Sequence, residues 1–471
     1  MSIEERARAA FDATPGTRRV TISDPADGTA LFEMPIATNG TVTAAVDAAR
    51  AAARGWAATP AAERGAALHR AADAVAARAD DLARLTTLEM GKPLADARGG
   101  VDAGVATLRQ YAELGPLHRG RSLAGGRDAT DLMVLEPRGV VAAITPWNDP
   151  VAVSCGLIGA SLATGNTVVY KPSERAPATG WLLAEAMAEH LPPGVLELLL
   201  GDGETGAALA RHPVDVVAHV GSTATGRAIA ASCLRTGAKA LLENGGNDPL
   251  VVDAGVDPDW AAGQAALGAF ANAGQICVSV ERIYVHEAVA EGFLAALVDR
   301  ATALHVGPGL DPVTELGPLV DRRLRESVHA QVTDAVAAGA KALCGGDVPP
   351  GPGSFYPATV LTGCTDDMAV VRTETFGPVA PVAVVADFEE AVLRASSGGY
   401  GLGATVLTRD MARAQRAWRD LPVGTVKINN VFGGAPGGAA HPRRGSGQGF
   451  GYGPELLDEL TFTKVVHISP G

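Results

Sequence analysis

The run Val140-Val-Ala-Ala-Ile144 leads directly into Thr145-Pro146-Trp147-Asn148, and the stretch Pro150–Ala163 carries it on to Thr167-Val-Val-Tyr170 and Lys171-Pro-Ser-Glu174. This reads as strand, polar loop, helix (near 151–163), strand, polar loop. The same alternation continues. Strands are expected at Val195–Leu200, Val214–Val220 and Ala238–Leu242, with helices near 176–190, 205–211 and 224–235. Short apolar runs alternating with helical stretches predict βαβ units and a parallel, doubly wound sheet. Residues 151–170 are long enough to span a bilayer, but Ser154, Gly156, Gly159, Ser161, Thr164, Gly165, Asn166 and Thr167 make the run too polar.

Outward from this block, Thr41–Ala58 and Ala61–Arg84 show helical spacing, with Gly91 as the stop. Asp131–Val140 reads as a strand-pair region turning at Pro137-Arg-Gly. After Asn244-Gly-Gly a second α/β pattern starts, with strands at Leu250–Val252 and Arg282–Val285 and helices over 258–272 and 287–304. Gly433–Gly453 is dense in Gly and Pro and is expected to be an ordered functional loop. The 471 residues suggest about three domains.

Composition narrows the function. Aromatics are 4%, and 39 Lys+Arg stand against 52 Asp+Glu, giving a net charge of −13. An acidic surface with few stacking rings disfavours nucleic acids and anionic membranes. The charged start lacks an apolar signal core, so a cytoplasmic protein is expected. Cys155, Cys233, Cys277, Cys344 and Cys364 are odd in number, widely spaced and form no CxxC, which argues against a disulfide framework and a thiolate zinc site. The ten histidines form no HxxxH or HExxH, so no metal is expected.

Gly201-Asp-Gly203-Glu-Thr-Gly206 is a literal GxGxxG. It lacks the acidic residue about 20 positions on that completes the dinucleotide fingerprint, so a tight turn explains it equally well. The combination of loops is more telling. Thr145–Asn148, Lys171–Glu174, Gly221-Ser222-Thr-Ala-Thr-Gly226 and Glu243-Asn-Gly245-Gly246 all follow expected strands, and such carboxyl-end loops line the ligand crevice of an open parallel sheet. Gly274-Gln-Ile-Cys277 and Glu374-Thr-Phe376-Gly-Pro come later in the chain.

With these motifs in this order, the sequence resembles the aldehyde dehydrogenase superfamily over essentially its whole length. The resemblance implies an aldehyde-dehydrogenase-like α/β fold: a Rossmann-type cofactor domain (1–125 and 141–242), an α/β catalytic domain (243–456) and a small β oligomerisation flap (126–140 and 457–471). It implies a homodimer or homotetramer acting on a small-molecule aldehyde. Cys277 matches the catalytic nucleophile, Glu243 the general base and Asn148 the oxyanion-hole amide. Lys171 and Glu174 match the residues that hold the adenine ribose, Ser222 a pyrophosphate contact, and Glu374 the nicotinamide-ribose carboxylate with Phe376 beside the cofactor. Thr145, Pro146, Trp147, Gly206, Gly221, Gly226 and Gly245 complete the expected cofactor contacts.

The implied chemistry suits these residue types. A thiolate attacks the carbonyl, amide donors hold the alkoxide, hydride leaves to the nicotinamide, and a carboxylate activates water against the thioester. Each residue also has a structural reading: Cys277 as a small buried apolar group, Asn148 as a helix cap, Lys171 snorkelling at a strand end, Glu374 as a loop charge. Glu174 favours NAD, because a carboxylate accepts from a 2′-hydroxyl and repels a 2′-phosphate, while Arg175 nearby leaves NADP open. Departures from the family pattern are Asn244, Asp149 and His219-Val220. The pair Arg443-Arg444 either clamps an anionic aldehyde or forms a solvated rim. CoA-acylating or reductive members often lack the glutamate at 243, and a non-catalytic binding protein would not need the cysteine, glutamate and asparagine together.

Overall fold

Val140–Ile144 lies inside a six-stranded sheet in the computed structural model, which describes residues 1–14, 18–434 and 438–470. Thr167–Lys171 and Val216–Val220 flank it, and Leu196–Leu198 and Lys239–Glu243 lie next outward, all parallel. The alternation of side chains explains the apolar runs. Val141 and Ala143 enter one core with Ile158 and Leu162, whereas Val140, Ala142 and Ile144 enter another with Leu209 and Ile229. A strand covered on both faces has no polar side to show.

The connecting helices are Pro150–Ala163, Pro177–Ala188, Gly203–Arg211 and Thr223–Thr236, matching the spacing read from sequence. Towards the N-terminus, Asn39–Ala58 is one helix, but the expected 61–84 helix is broken at Arg78 into Ala61–Ala77 and Ala79–Met90. No Gly or Pro marks that break. Gly91, at φ 85°, ends the second piece in the left-handed conformation that glycine adopts without cost.

The expected strand pair at 131–140 is corrected. Thr130–Pro137 pairs antiparallel with Thr461–Ile468 and with Arg121–Ser122, and not with Val140–Ile144. The chain turns at Arg138-Gly139 out of this three-stranded sheet and into the six-stranded one.

The second α/β pattern builds a seven-stranded sheet in the order Lys341–Cys344, Thr359–Thr362, Val379–Val385, Val280–His286, Asp248–Val252, Gly403–Leu407 and Thr425–Ile428. Lys341–Cys344 is antiparallel to its neighbour and the other six run parallel. The chain then returns to the first sheet. Gly447 and Gln448 pair antiparallel with Glu243 and Leu242, and Leu456, Leu457 and Leu460 join the first core. No helix among the described residues is long and apolar enough to cross a membrane.

Candidate active site

Glu243 ends a strand of the six-stranded sheet and Asp248 begins one of the seven-stranded sheet. Four residues, Asn244–Asn247, therefore carry the chain from the carboxyl edge of one sheet to the amino edge of the other. Cys277 sits at the same seam, three residues before Val280–His286.

The loop holding Cys277 is strongly bent. After the helix Pro258–Phe270, Asn272, Ala273 and Gly274 all take positive φ, at 50°, 55° and 72°. A Cβ on Gly274 would lie 2.1 Å from the Gly377 carbonyl, so the GQIC glycine is set by contact with the ETFGP segment. Gln275 is buried. Its Nε2 donates to the Asn272 carbonyl at 3.0 Å, and the Val320 N–H donates to its Oε1 at 2.9 Å. Asn148 donates Nδ2 to the Gln275 carbonyl at 2.9 Å, and Asn272 donates to the Asn148 carbonyl at 3.3 Å. From below, a Cβ on Gly246 would lie 2.2 Å from the Cys277 carbonyl. The Gly451 N–H donates to Glu243 Oε1 at 3.1 Å.

The electrostatics are dominated by burial and by carboxylates. Burial, then Glu243, Asp248 and Glu374, push the Cys277 thiol up to about 12. Burial raises Glu243 to about 7 despite the Gly451 N–H. Burial and mutual repulsion hold Glu281 and Glu374 above the usual carboxylate range. Glu281 accepts from the Thr375 and Phe376 N–H groups, and Glu374 from the Gly246 N–H at 3.0 Å. Of the other cysteines, Cys155, Cys233 and Cys364 are buried, and burial raises all four thiols.

A cleft of about 1180 Å³ opens beside the six-stranded sheet. Thr145, Pro146, Trp147, Lys171, Glu174, Gly206, Gly221 and Ser222 all line it. Ser222 caps the helix Thr223–Thr236 through the Thr225 N–H, aiming that helix's start at the cleft. Lys171 is 3% exposed; its ammonium donates to the Pro172 carbonyl at 2.9 Å and stands 3.7 Å from Glu174. Burial lowers its proton affinity, against the pull of Glu174. The buried Thr223 Oγ1 and Asn244 Oδ1 have no hydrogen-bond partner among the described residues. A glycine-lined cleft, a helix N-terminus, a lysine and a carboxylate suit the phosphates and ribose hydroxyls of a dinucleotide. The residues present therefore fit a nicotinamide cofactor.

Gly226, Gly245, Glu374 and Phe376 do not line that cleft, but they adjoin it. Trp147 meets Phe376 edge-on at 5.5 Å, and Arg175 lies over the other side of Trp147 at 5.3 Å while pairing with Asp321 at 2.5 Å. A Cβ on Gly245 would lie 2.2 Å from Glu374, and one on Gly226 would lie 2.0 Å from Asn244 Oδ1. Asn244, a departure from the family pattern, thus packs over the cofactor helix and donates to the Gly445 carbonyl at 3.1 Å. Asp149 pairs with Lys92 at 3.4 Å. Burial holds His219 near pKa 4 and therefore neutral.

Arg443 and Arg444 do not form a clamp. Arg444 donates to the Ser396 and Gly398 carbonyls, each at 2.9 Å, and Arg443 lines a shallow depression with Trp418 and Val426. Ala435–Gly437, part of the Gly-rich loop expected to be functional, lies outside the described residues. Asp248, Glu281, Gly451 and Lys427 were not singled out by sequence reading. Only Glu281, four residues after Cys277, carried a local signal. No cluster of three or more His, Cys, Asp or Glu able to hold a metal occurs among the described residues.

The sequence profile of the aldehyde dehydrogenase family matches residues 12–466. The chain is 36% identical to a betaine aldehyde dehydrogenase of Cereibacter sphaeroides over 95% of this chain and 93% of that one. It is also 36% identical to the NADP(+) succinate-semialdehyde dehydrogenase of Escherichia coli, over 89% and 88%. The crystal structure of betaine aldehyde dehydrogenase from Staphylococcus aureus in complex with NAD+ superposes with a TM-score of 0.95 at 30% identity, covering 100% of this chain and 99% of that one.

Proposed function

The chain belongs to the aldehyde dehydrogenase family and oxidises an aldehyde to a carboxylic acid with NAD or NADP as acceptor, and we propose that Cys277, Glu243 and Asn148 carry this reaction. The observation that carries the reading is the Asn148 amide bonded to the Gln275 carbonyl, two residues before Cys277. One amide hydrogen holds the nucleophile loop and leaves the second for a substrate oxygen.

Cys277 Sγ gives up its proton to solvent and adds to the aldehyde carbon. The carbonyl oxygen becomes an alkoxide that Asn148 stabilises by donation. A bound oxidised nicotinamide would supply the hydride acceptor, and loss of hydride leaves the adduct as a thioester on Cys277. Glu243, raised to about 7 by burial, then takes a proton from water. The hydroxide adds to the acyl carbon, the C–S bond breaks, and the acid leaves with Cys277 restored.

The cofactor is read as NAD. Glu174 stands at the adenosine end of the cleft with Lys171, where it accepts from a 2′-hydroxyl and repels a 2′-phosphate. The division into a cofactor domain (1–125 and 141–242), a catalytic domain (243–456) and a flap (126–140 and 457–471) is supported by the six-, seven- and three-stranded sheets, although residues 447–460 return to the six-stranded sheet and its core. A homodimer or homotetramer is supported by Phe462, Val465 and Ile468, which are exposed on Thr461–Ile468. The five free cysteines support a reducing compartment such as the cytoplasm.

Steady-state NADH production from a panel of aldehydes, with Cys277→Ala as the control, tests the reading. Turnover is expected in the parent and absent in the variant. Full-rate turnover in Cys277→Ala would remove Cys277 from the mechanism.

A further inference from the structure

Cys277 is an unusual place for a thiolate. Glu243 approaches from the first sheet, Asp248 from the start of its strand, Glu374 from the ETFGP segment, and Glu281 lies behind Glu374. Uncompensated, this field keeps sulfur protonated. Two cations share the region. Arg282 is committed to carbonyls, donating to Asn247, Ser397 and Ala395 at 3.0–3.1 Å. Lys427 is half-buried and has neither a hydrogen bond nor an ion pair among the described residues; its Nζ lies 5.7 Å from the Phe432 ring centre.

The sheet register puts Lys427 on the catalytic face. Leu250 pairs with Thr405 and Thr405 with Lys427, so the three side chains emerge together. Leu250 packs in the core shared by Phe270, Ala273 and Val280, which flank the Cys277 loop. One step back in the register, Gly403 pairs with Thr425 and donates its N–H to Asp248 Oδ1 at 3.0 Å. Gly403 has no side chain, and a Cβ there would lie 2.3 Å from Asp248. The gap lets the lysine and the aspartate face each other, and Asp248 in turn lies against Gly246, on which the Cys277 carbonyl rests. Burial lowers the Lys427 proton affinity, while Asp248 and Cys277 raise it, so the three sites share one field.

We propose that Lys427 is a positioning residue whose ammonium offsets part of the surrounding carboxylate field and so favours the Cys277 thiolate over the thiol. This rests on Cys277 being the nucleophile, but its test reads the thiol directly, whether or not the thiol turns over.

The test measures alkylation of Cys277 by iodoacetamide in the full-length enzyme from about pH 6 to about pH 11, read by mass spectrometry of the Cys277 peptide. Below the thiol's own titration the alkylation rate tracks the thiolate fraction, and Lys427→Met is expected to displace this pH–rate profile upward by about one unit, slowing alkylation about tenfold at each pH. Lys427→Arg keeps the charge and should restore the parent profile. Asp248→Asn retains the acceptor for Gly403 but removes a negative charge, and should move the profile down. A Lys427→Met profile that coincides with the parent's would overturn the proposal, and so would a selective loss of affinity for carboxylate-bearing aldehydes with the profile unmoved, which would make Lys427 a substrate contact. If Lys427→Met does not fold, an unmoved profile in Asp248→Asn overturns it. Failure of the nucleophile assignment shows separately, as turnover persisting in Cys277→Ala.

Discussion

Asn148 and Gln275 are joined by a buried 2.9 Å hydrogen bond from the asparagine amide to the glutamine carbonyl, which couples the first loop of the cofactor sheet to the loop that presents Cys277. Asn272 repeats the link in reverse by donating to the Asn148 carbonyl. The two loops therefore move as one unit, and the thiol and the amide keep a fixed relation.

Asn148→Ala removes both that tie and the proposed oxyanion donor. We expect kcat to fall by about 10²–10³-fold, the usual effect of losing one such donor. Steady-state kinetics check this, with the change concentrated in kcat. A loss confined to KM would mean that Asn148 only holds the loop.

Glu243→Gln should separate the two halves of the reaction. The first equivalent of NADH should form in a burst, after which turnover stalls at the thioester, with steady-state kcat lower by about 10²–10⁴-fold. Rapid-mixing absorbance resolves the burst. In the parent, the deacylation rate should rise as pH passes through about 7, where Glu243 loses its proton, and Glu243→Gln should lack this limb.

The stability consequence has its own sign. The folded state binds the Glu243 proton more tightly than the unfolded chain does, so this residue contributes stability at pH below the usual carboxylate range. That contribution is lost as pH rises through about 7. Glu243→Gln is therefore expected to melt above the parent at pH 8 and to lose the advantage near pH 5, as read by thermal unfolding.

Much of this was legible locally. Val140–Ile144 and Thr167–Tyr170 could be read because strands buried on both faces leave uninterrupted apolar runs. Cys277, Glu243 and Asn148 could be singled out because each lies in a short motif that carries the family resemblance, and the structure brings their loops to one seam. The features that local pattern alone did not carry were those made by distant chain. Thr130–Pro137 finds its partner at Thr461–Ile468, more than 300 residues on; only the family resemblance joined these segments in one flap, while the local pattern pointed to a pairing within 131–140. For Arg443-Arg444 the sequence left an anion clamp open beside a solvated rim, because the carbonyls that Arg444 satisfies, Ser396 and Gly398, lie almost 50 residues earlier. Lys427 and Asp248 gain meaning only through register across Gly403.

Gly246→Ala tests how closely the nucleophile is supported. Its Cβ would lie 2.2 Å from the Cys277 carbonyl, a backbone atom that cannot swing aside like a side-chain end. Overpacking of this kind costs about 1–3 kcal/mol. Calorimetry should show a lower Tm, and kcat should fall at least tenfold because the thiol is displaced. Unchanged Tm and kcat would mean that the loop has slack.

Arg444→Ala should separate architecture from substrate recognition. The guanidinium donates two 2.9 Å hydrogen bonds to the Ser396 and Gly398 carbonyls, just past the helix Phe388–Ala395, and so has a structural task. Losing them should cost about 1 kcal/mol, reduced by the exposure of the site, and lower Tm slightly. Because the Nη1 bonds to these backbone oxygens hold the guanidinium in place, KM ratios between carboxylate-bearing and neutral aldehydes should stay within about twofold of the parent, an energy change well under that of one charged hydrogen bond. A selective rise in KM for the anionic aldehydes alone would show that the arginine leaves those carbonyls to meet the substrate, and would return the 443–444 pair to the active site.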